Sequence, residues 1–174
     1  AAASMARAVL LDPLNPLIHR AAGSIAYAAR AYEAALAPLR QALAMNPQMS
    51  RAHAALGDAL LLLGRLPEAR VEYAAEPVAD FRLAGLAVLE LRLGNTAAAR
   101  AALAELVALA GDRVLYQQAQ VLAQAGDVGA ALDRLEKARA VGDSGLIYLR
   151  NDPLLDPLHS DPRFARLLAG IGFD

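Results

Sequence analysis

Cysteine and tryptophan are absent from this chain of 174 residues, and Lys137 is its only lysine. Without cysteine the protein has no disulfide scaffold, no thiolate metal site and no cysteine nucleophile. A single lysine argues against lysine-based catalysis. The lack of cysteine fits the cytoplasm and the periplasm alike, so the localisation stays open, with the cytoplasm slightly favoured.

Long apolar runs and a surplus of positive charge are also missing. The most apolar run, from Ala59 to Leu63, is far shorter than the roughly 20 residues that span a membrane, and the first residues do not resemble a signal peptide. The 17 basic residues are balanced by 18 acidic ones, which leaves a formal net charge of -1. We therefore expect no membrane span and no nucleic-acid partner.

The sequence contains an internal repeat rich in alanine and leucine. Alanine is the strongest helix former, and hydrophobic residues make up 57% of the chain although aromatics make up only 5%. Four features recur at one constant offset along the chain, namely Asp12-Pro13 with Asn46-Pro47, His19 with His53, Gly23 with Gly57, and Ala35 with Ala69. Four independent matches at one offset are hard to produce by composition alone, so a repeat architecture is indicated.

Between these marks the apolar residues follow a helical period. Residues 51–64 contain no proline and end on glycine, a natural helix stop. Pro67 stands near the start of the next helix, where its missing N–H is tolerated. Each unit is therefore expected to be a helix, a tight turn and a second helix. We expect a single array over 1–174, with a lone second helix of an incomplete repeat at 1–13, repeats at 16–47, 50–77, 80–109 and 112–141, and a C-terminal capping segment at 144–174.

The end of the chain has a different pattern, with three Asp-Pro pairs between Asn151 and Phe164. Aspartate caps helices, and proline is preset for the first helical position. The pattern predicts a short helical turn over 153–158 and a final helix over 162–169, in which Phe164, Leu167 and Leu168 cover the core of the last unit. Asn95 or Thr96 is the expected N-cap of the helix over 96–108.

The pattern resembles the tetratricopeptide repeat family, whose unit is a helix–turn–helix of about 34 residues. The family's two facing small residues and its closing proline are matched by Gly23, Ala35 and Pro47. Later units hold the two small positions with Gly57 and Ala69, Ala87 and Ala99, and Ala119 and Ala131. The family's early aromatic is replaced by His19, His53, Leu83 and Leu115. The Asp-Pro-rich ending resembles the closing segment of many bacterial repeat arrays.

The resemblance implies an all-α fold, a right-handed α-solenoid of helix–turn–helix repeats whose first helices line a concave groove that binds a protein or peptide. Carrying over the groove positions gives Arg20, Tyr27, Arg51, Asp58, Leu61, Phe81, Arg92, Arg113, Tyr116, Gln117, Gln120 and Gln124. Three of them, Gln117, Gln120 and Gln124, lie on one helical face. Such a stripe is suited to hydrogen bonding with a peptide backbone, and the alternative is a solvated helix face.

The groove residues also indicate the chemistry of a partner. Family members that grip a C-terminal carboxylate use lysine, asparagine and arginine at set positions, which here read Arg20, Ser24, Ala55, Phe81 and Gly85. Only Arg20 is cationic, which argues against that clamp. The mixture of apolar and cationic side chains suits an extended or helical acidic-apolar segment instead.

No catalytic, metal or cofactor site is recognisable. The equivalent positions of His19 and His53 indicate half-buried packing residues without a third ligand, and His159 is expected to be exposed. There is no GxSxG motif and no strand to carry a nucleophile elbow. Gly126 to Gly129 is a helix–helix turn, which is unlike a phosphate loop that follows a strand. We therefore expect a binding protein that is not an enzyme and takes no cofactor.

Two alternatives to a simple binding scaffold remain open. Because the first helix lacks a partner, the array is a candidate regulatory or sensory module of a larger bacterial signalling or transcription-regulating protein. The same open N-terminal end, with Met5, Val9 and Leu10, is a candidate surface for homo-oligomer formation.

Overall fold

A computed structural model describes residues 2–172, so residue 1 of the expected first helix and residues 173 and 174 of the expected capping segment lie outside the described residues. The described part of the chain is helical and contains no β-strand, which confirms the all-α repeat fold. The helices are α1 (Ala2–Leu11), α2 (Pro16–Ala28), α3 (Tyr32–Met45), α4 (Ala52–Leu62), α5 (Leu66–Ala75), α6 (Ala79–Arg92), α7 (Thr96–Ala110), α8 (Leu115–Gln124), α9 (Val128–Val141) and α10 (Pro162–Gly170).

The chain divides into two compact units, which we call unit 1 (Ala1–Gly85) and unit 2 (Leu86–Asp174), and the boundary falls within α6. In unit 1, α2 packs on α3 and α4 packs on α5, and in unit 2, α8 packs on α9. These are the expected pairs of first and second helices. The arrangement of all repeats as a single array stays a prediction. None of the described helices is long and apolar enough to cross a membrane.

The small residues lie where pairs of helices meet. A Cβ atom added to Gly57 would lie 2.7 Å from Cε1 of Tyr73, and one added to Gly23 would strike the side chain of Leu39. The alanines at the equivalent positions are buried, with no more than 2% exposure, at Ala35, Ala69, Ala87, Ala99, Ala119 and Ala131. For Gly23 and Gly57 the prediction that small residues allow close approach of the helices is confirmed, and the alanines are buried as expected.

The turn between the two helices of each repeat contains a residue with positive φ. Gly64, Gly94 and Gly126 have φ angles of 75°, 79° and 81°, a region that glycine enters without steric penalty. In the first repeat, Arg30 takes this position with φ 61°. Arg30 precedes Gly64 by the same offset that separates His19 from His53, so the repeat extends to the backbone conformation of the turn.

The two equivalent histidines hold the loops that precede α2 and α4. The Nε2 atom of His19 lies 2.8 Å from the carbonyl oxygen of Pro13, and that of His53 lies 3.1 Å from the carbonyl oxygen of Pro47. His53 also pairs with Glu72 through Nδ1 at 2.7 Å. The expected packing role is thus combined with a hydrogen bond to the loop, and the same bond occurs in two successive repeats.

A buried carboxylate from the end of the repeat caps the start of its first helix. Glu76, which is 1% exposed, accepts hydrogen bonds from the backbone N–H groups of Arg51 and Ala54, both at 3.0 Å. In unit 2, Asp143 accepts one from the N–H of Tyr116 at 3.1 Å. N–H groups at a helix start lack intrahelical partners, so each carboxylate joins the end of its repeat to the beginning.

After α9 the chain forms two 3-10 turns, Ser144–Tyr148 and Pro153–Leu158, before α10. The expected short turn and final helix are confirmed, and Phe164 and Leu167 are buried at 1% and 3% exposure against the core of α8 and α9. Asn95 is the N-cap residue of α7, as expected, but its side chain makes no capping bond and donates instead to Glu90 at 2.7 Å.

Candidate interaction surface

In unit 1 the first helices of two successive repeats, α2 and α4, contact each other. Arg20 and Tyr27 lie on α2 and are half-buried. The ring of Tyr27 lies 5.8 Å from that of Tyr32. The Nε atom of Arg20 is buried and has no hydrogen-bond partner among residues 2–172. An unsatisfied buried donor is unfavourable unless an acceptor reaches it.

The start of α4 holds a pair of a cation and an aromatic ring. The guanidinium carbon of Arg51 lies 4.7 Å from the ring centroid of Phe81, within the range of a cation–π interaction. Both side chains are half-buried. The structure thus brings together two of the residues that the sequence assigned to the groove, and they present a charge and an apolar ring side by side.

Farther along α4 the assigned residues have structural partners. The Oδ1 atom of Asp58 accepts a hydrogen bond of 2.7 Å from the hydroxyl of the fully buried Tyr73. Leu61 is only 3% exposed, so it belongs to the core. In unit 1 the accessible part of the assigned surface is therefore formed by Arg20, Tyr27, Arg51, Asp58 and Phe81.

In unit 2 the assigned polar residues of α8 bind the C-terminal part of the same chain. The hydroxyl of Tyr116 and the Nε2 atom of Gln120 donate to the same carboxylate oxygen, Oδ2 of Asp152, at 2.7 and 2.6 Å. The Nε2 atom of Gln124 donates to the carbonyl oxygen of Leu154 at 2.7 Å. The face is not solvated, because the segment after Asn151 covers it.

The other assigned residues of unit 2 surround this contact. Gln117 is buried, with 9% exposure. Arg92 is exposed and donates to Oε1 of Gln124 at 2.8 Å. Arg113 donates to the carbonyl oxygens of Leu109 and Ala110 at 3.2 and 3.3 Å, at the C-terminal end of α7, where carbonyl groups lack helical partners.

Burial controls the protonation of the two groups at the centre of the α8 contact. Desolvation raises the pKa of Asp152, although the hydrogen bonds from Tyr116, Leu154 and Gln120 oppose the shift. Desolvation also raises the pKa of the Tyr116 hydroxyl, and the Asp152 carboxylate adds to that increase. The hydroxyl of Tyr116 therefore remains protonated at neutral pH and donates the hydrogen bond to Oδ2 of Asp152.

Sequence reasoning missed the residues that occupy the α8 face. Asp152 and Leu154 were assigned to a cap, without a link to the glutamines of α8. A signal was present, since an aspartate followed by proline and two leucines is the acidic-apolar chemistry expected of a groove ligand. No group of three or more His, Cys, Asp or Glu residues that could hold a metal ion occurs within the part of the chain that the structure describes.

Comparisons with known proteins agree with this architecture. Two family models, both described as tetratricopeptide repeat, match residues 26–80 and 1–48. No curated protein matches the sequence.

Solved structures share the fold at low sequence identity. The chain is similar to YrrB, described as a TPR protein with an unusual peptide-binding site, at 16% identity and a TM-score of 0.54, covering 97% of this chain and 91% of that one. It is similar to PilW, a widely conserved type IV pilus biogenesis factor, at 20% identity and a TM-score of 0.58, covering 99% and 85%. Pseudomonas aeruginosa pilF matches at 17% identity and a TM-score of 0.56, covering 95% and 86%.

The sequence repeat, the helix pairs and the matches to family models all point to one family. Its fold serves as a scaffold for protein–protein interaction, and its members are generally non-catalytic. Residues 1–80 match the tetratricopeptide repeat family, and nearly the whole chain shares the fold of a solved tetratricopeptide repeat protein.

Proposed function

We propose that the protein is a scaffold that binds a protein or peptide through the first-helix face of unit 1 and carries out no catalysis. The observation that supports this most directly is the half-buried pair of Arg51 and Phe81, 4.7 Å apart, which presents a cation and an apolar ring side by side at the start of α4. Arg20 of α2 adds a second cation, and its buried Nε has no acceptor among the described residues.

The partner that fits this face is an acidic-apolar segment. Its carboxylates would pair with Arg20 and Arg51, and its apolar side chains would pack on Tyr27 and Phe81. Arginine and tyrosine are enriched among the residues that dominate binding energies. Charge pairing at a partly exposed face is screened by salt, so the affinity should fall as the ionic strength rises.

A display library of peptides panned against the whole chain tests the proposal. We expect acidic-apolar peptides to be enriched, and the Arg51→Gln variant to bind them about tenfold more weakly, which corresponds to about 1.4 kcal/mol. The matched control is Arg40→Gln, the same change on the second helix α3, where Arg40 is exposed and pairs with Glu68 at 3.6 Å. Equal binding by both variants, or failure to enrich acidic-apolar peptides, would refute the proposal.

A further inference from the structure

The contact between α8 and the segment 152–158, called here the C-terminal segment, has the chemistry of peptide recognition. Two donors of α8, the Tyr116 hydroxyl and the Gln120 amide, converge on the Asp152 carboxylate. A third, the Gln124 amide, binds a main-chain carbonyl oxygen, that of Leu154. The helix therefore recognises one charged side chain and the backbone next to it.

Leucine side chains provide the apolar part of the same contact. Leu154, Leu155 and Leu158 are at most 3% exposed. Leu155 and Leu158 belong to one core cluster with Tyr116 and Ala119 of α8. Burial of this kind supplies most of the affinity in a helix–peptide contact, whereas the carboxylate selects the sequence.

The C-terminal segment packs mainly on α8 and is capped by its own aspartate, since Oδ1 of Asp152 accepts a hydrogen bond from the N–H of Leu154 at 3.0 Å. It forms a 3-10 turn, in which hydrogen-bond geometry is poorer than in an α-helix. Pro153 and Pro157 have no N–H group to donate within it. Asn151 and His159 at its two ends are exposed. Removal of the carboxylate therefore weakens the contact at the point where α8 holds the segment.

We propose that the α8 face is a recognition site for a peptide that combines a carboxylate with a following Pro-Leu-Leu, and that the chain's own residues 152–158 keep this site closed. The inference rests on the proposed function as a peptide-binding scaffold and assigns a second, self-occupied site to it. A tethered segment competes at an effective concentration on the order of millimolar. An external peptide of the same chemistry therefore binds well only after the contact of the C-terminal segment is weakened.

Fluorescence anisotropy with a labelled peptide of residues 150–160 (RNDPLLDPLHS) tests this on the whole chain. The variant Asp152→Ala removes the carboxylate from the chain's own segment, whereas the added peptide keeps it. We expect the variant to bind the peptide at least tenfold more tightly than the wild type does. The matched control is Asp156→Ala, the same change at an exposed carboxylate of the same segment, which should bind like the wild type. A peptide with alanine at the position of Asp152 should bind none of the three proteins.

Two results would overturn the proposal. One is an Asp152→Ala chain with unchanged helical circular dichroism that fails to bind the peptide, and the other is a wild type that binds it as tightly as the variant. If the Asp152→Ala variant does not fold, hydrogen exchange of the backbone amides in the wild type tests the proposal instead. A large excess of peptide should speed exchange at Leu154 and Leu155, and unchanged exchange contradicts the proposal.

The Arg51→Gln variant separates this inference from the proposed function. In the Asp152→Ala background it should leave binding of the 150–160 peptide unchanged, because Arg51 lies in unit 1. If acidic-apolar peptides do not bind unit 1 but the 150–160 peptide still binds the α8 face of the Asp152→Ala variant, the self-occupied site at α8 is supported without the site in unit 1. If acidic-apolar peptides bind unit 1 but the 150–160 peptide does not bind α8, only the proposed function is supported.

Discussion

The substitution Gly57→Ala probes the closest approach of two helices in unit 1. The added Cβ would lie 2.7 and 2.8 Å from Cε1 and Cδ1 of Tyr73, distances that real Cβ contacts do not show. The ring of Tyr73 cannot yield easily. It is fully buried, a Cβ at Gly85 would also strike it, and its hydroxyl is bonded to Asp58 at 2.7 Å.

Two opposing effects set the magnitude for Gly57→Ala. Overpacking of a well-packed core costs about 1–3 kcal/mol, whereas replacing glycine by alanine inside a helix stabilises it by about 1 kcal/mol. Because the ring is held on both sides, we expect the upper part of the overpacking range and a net loss of about 1–2 kcal/mol. For a chain of this size that lowers the melting temperature by about 2–8 °C.

Thermal and urea denaturation followed by circular dichroism measure this loss. Gly129→Ala is the matched control, because Gly129 lies in α9 and a Cβ there has a single neighbouring atom, at 4.0 Å. The control should melt at the wild-type temperature or above. In a Tyr73→Leu background, Gly57→Ala should become neutral or stabilising. A Gly57→Ala chain that melts at or above the wild-type temperature would refute the packing argument.

Three further predictions concern charge, backbone strain and association. Burial raises the pKa of Asp152 above its ordinary value of 3.8, so the protonated form favours the fold. The free energy of unfolding of the wild type relative to Asp152→Asn should therefore fall as the pH rises from below 3.8 through the raised pKa, and urea titrations that give a constant difference would contradict this. Arg30→Gly should raise the free energy of unfolding by up to about 1 kcal/mol, because glycine adopts a positive φ without the strain that a side chain causes. Gly64→Ala should lower the free energy of unfolding by a similar amount in the same urea assay. No change in either variant would refute the strain argument. Leu10 and Leu14 are 82% and 80% exposed, and we expect them to mediate self-association. Light scattering should then show a species larger than the monomer, which the double substitution Leu10→Ser and Leu14→Ser abolishes. A wild type that stays strictly monomeric at high concentration would exclude this.

Much of the fold follows from features that the sequence repeats. The constant offset predicted the helix pairs because each pair is a local structure, with its turn, its small residues and its apolar face within one unit. Gly57 is an example. Its position one repeat after Gly23 marked it as a helix contact, and the ring of Tyr73 now accounts for the need for glycine.

The capping carboxylates and the closed face of α8 could not be predicted in the same way. Glu76 caps the start of α4 across 22 to 25 residues, and that bond exists only because the two helices of the repeat have already packed. The glutamines of α8 were correctly identified as polar on one face. Their partner was not, because helical period describes one element at a time and says nothing about which distant segment covers it.

The bonds from His19 to Pro13 and from His53 to Pro47 have a consequence for how such a chain lengthens. Each joins the closing proline of one repeat to a histidine six residues later in the next repeat. A block of repeat length that is duplicated in frame would therefore form the same bond with the repeats on both sides of it, because the proline and the histidine recur at the repeat offset. Gain or loss of whole repeats by recombination would then leave the hydrogen bonds of the remaining loops in place.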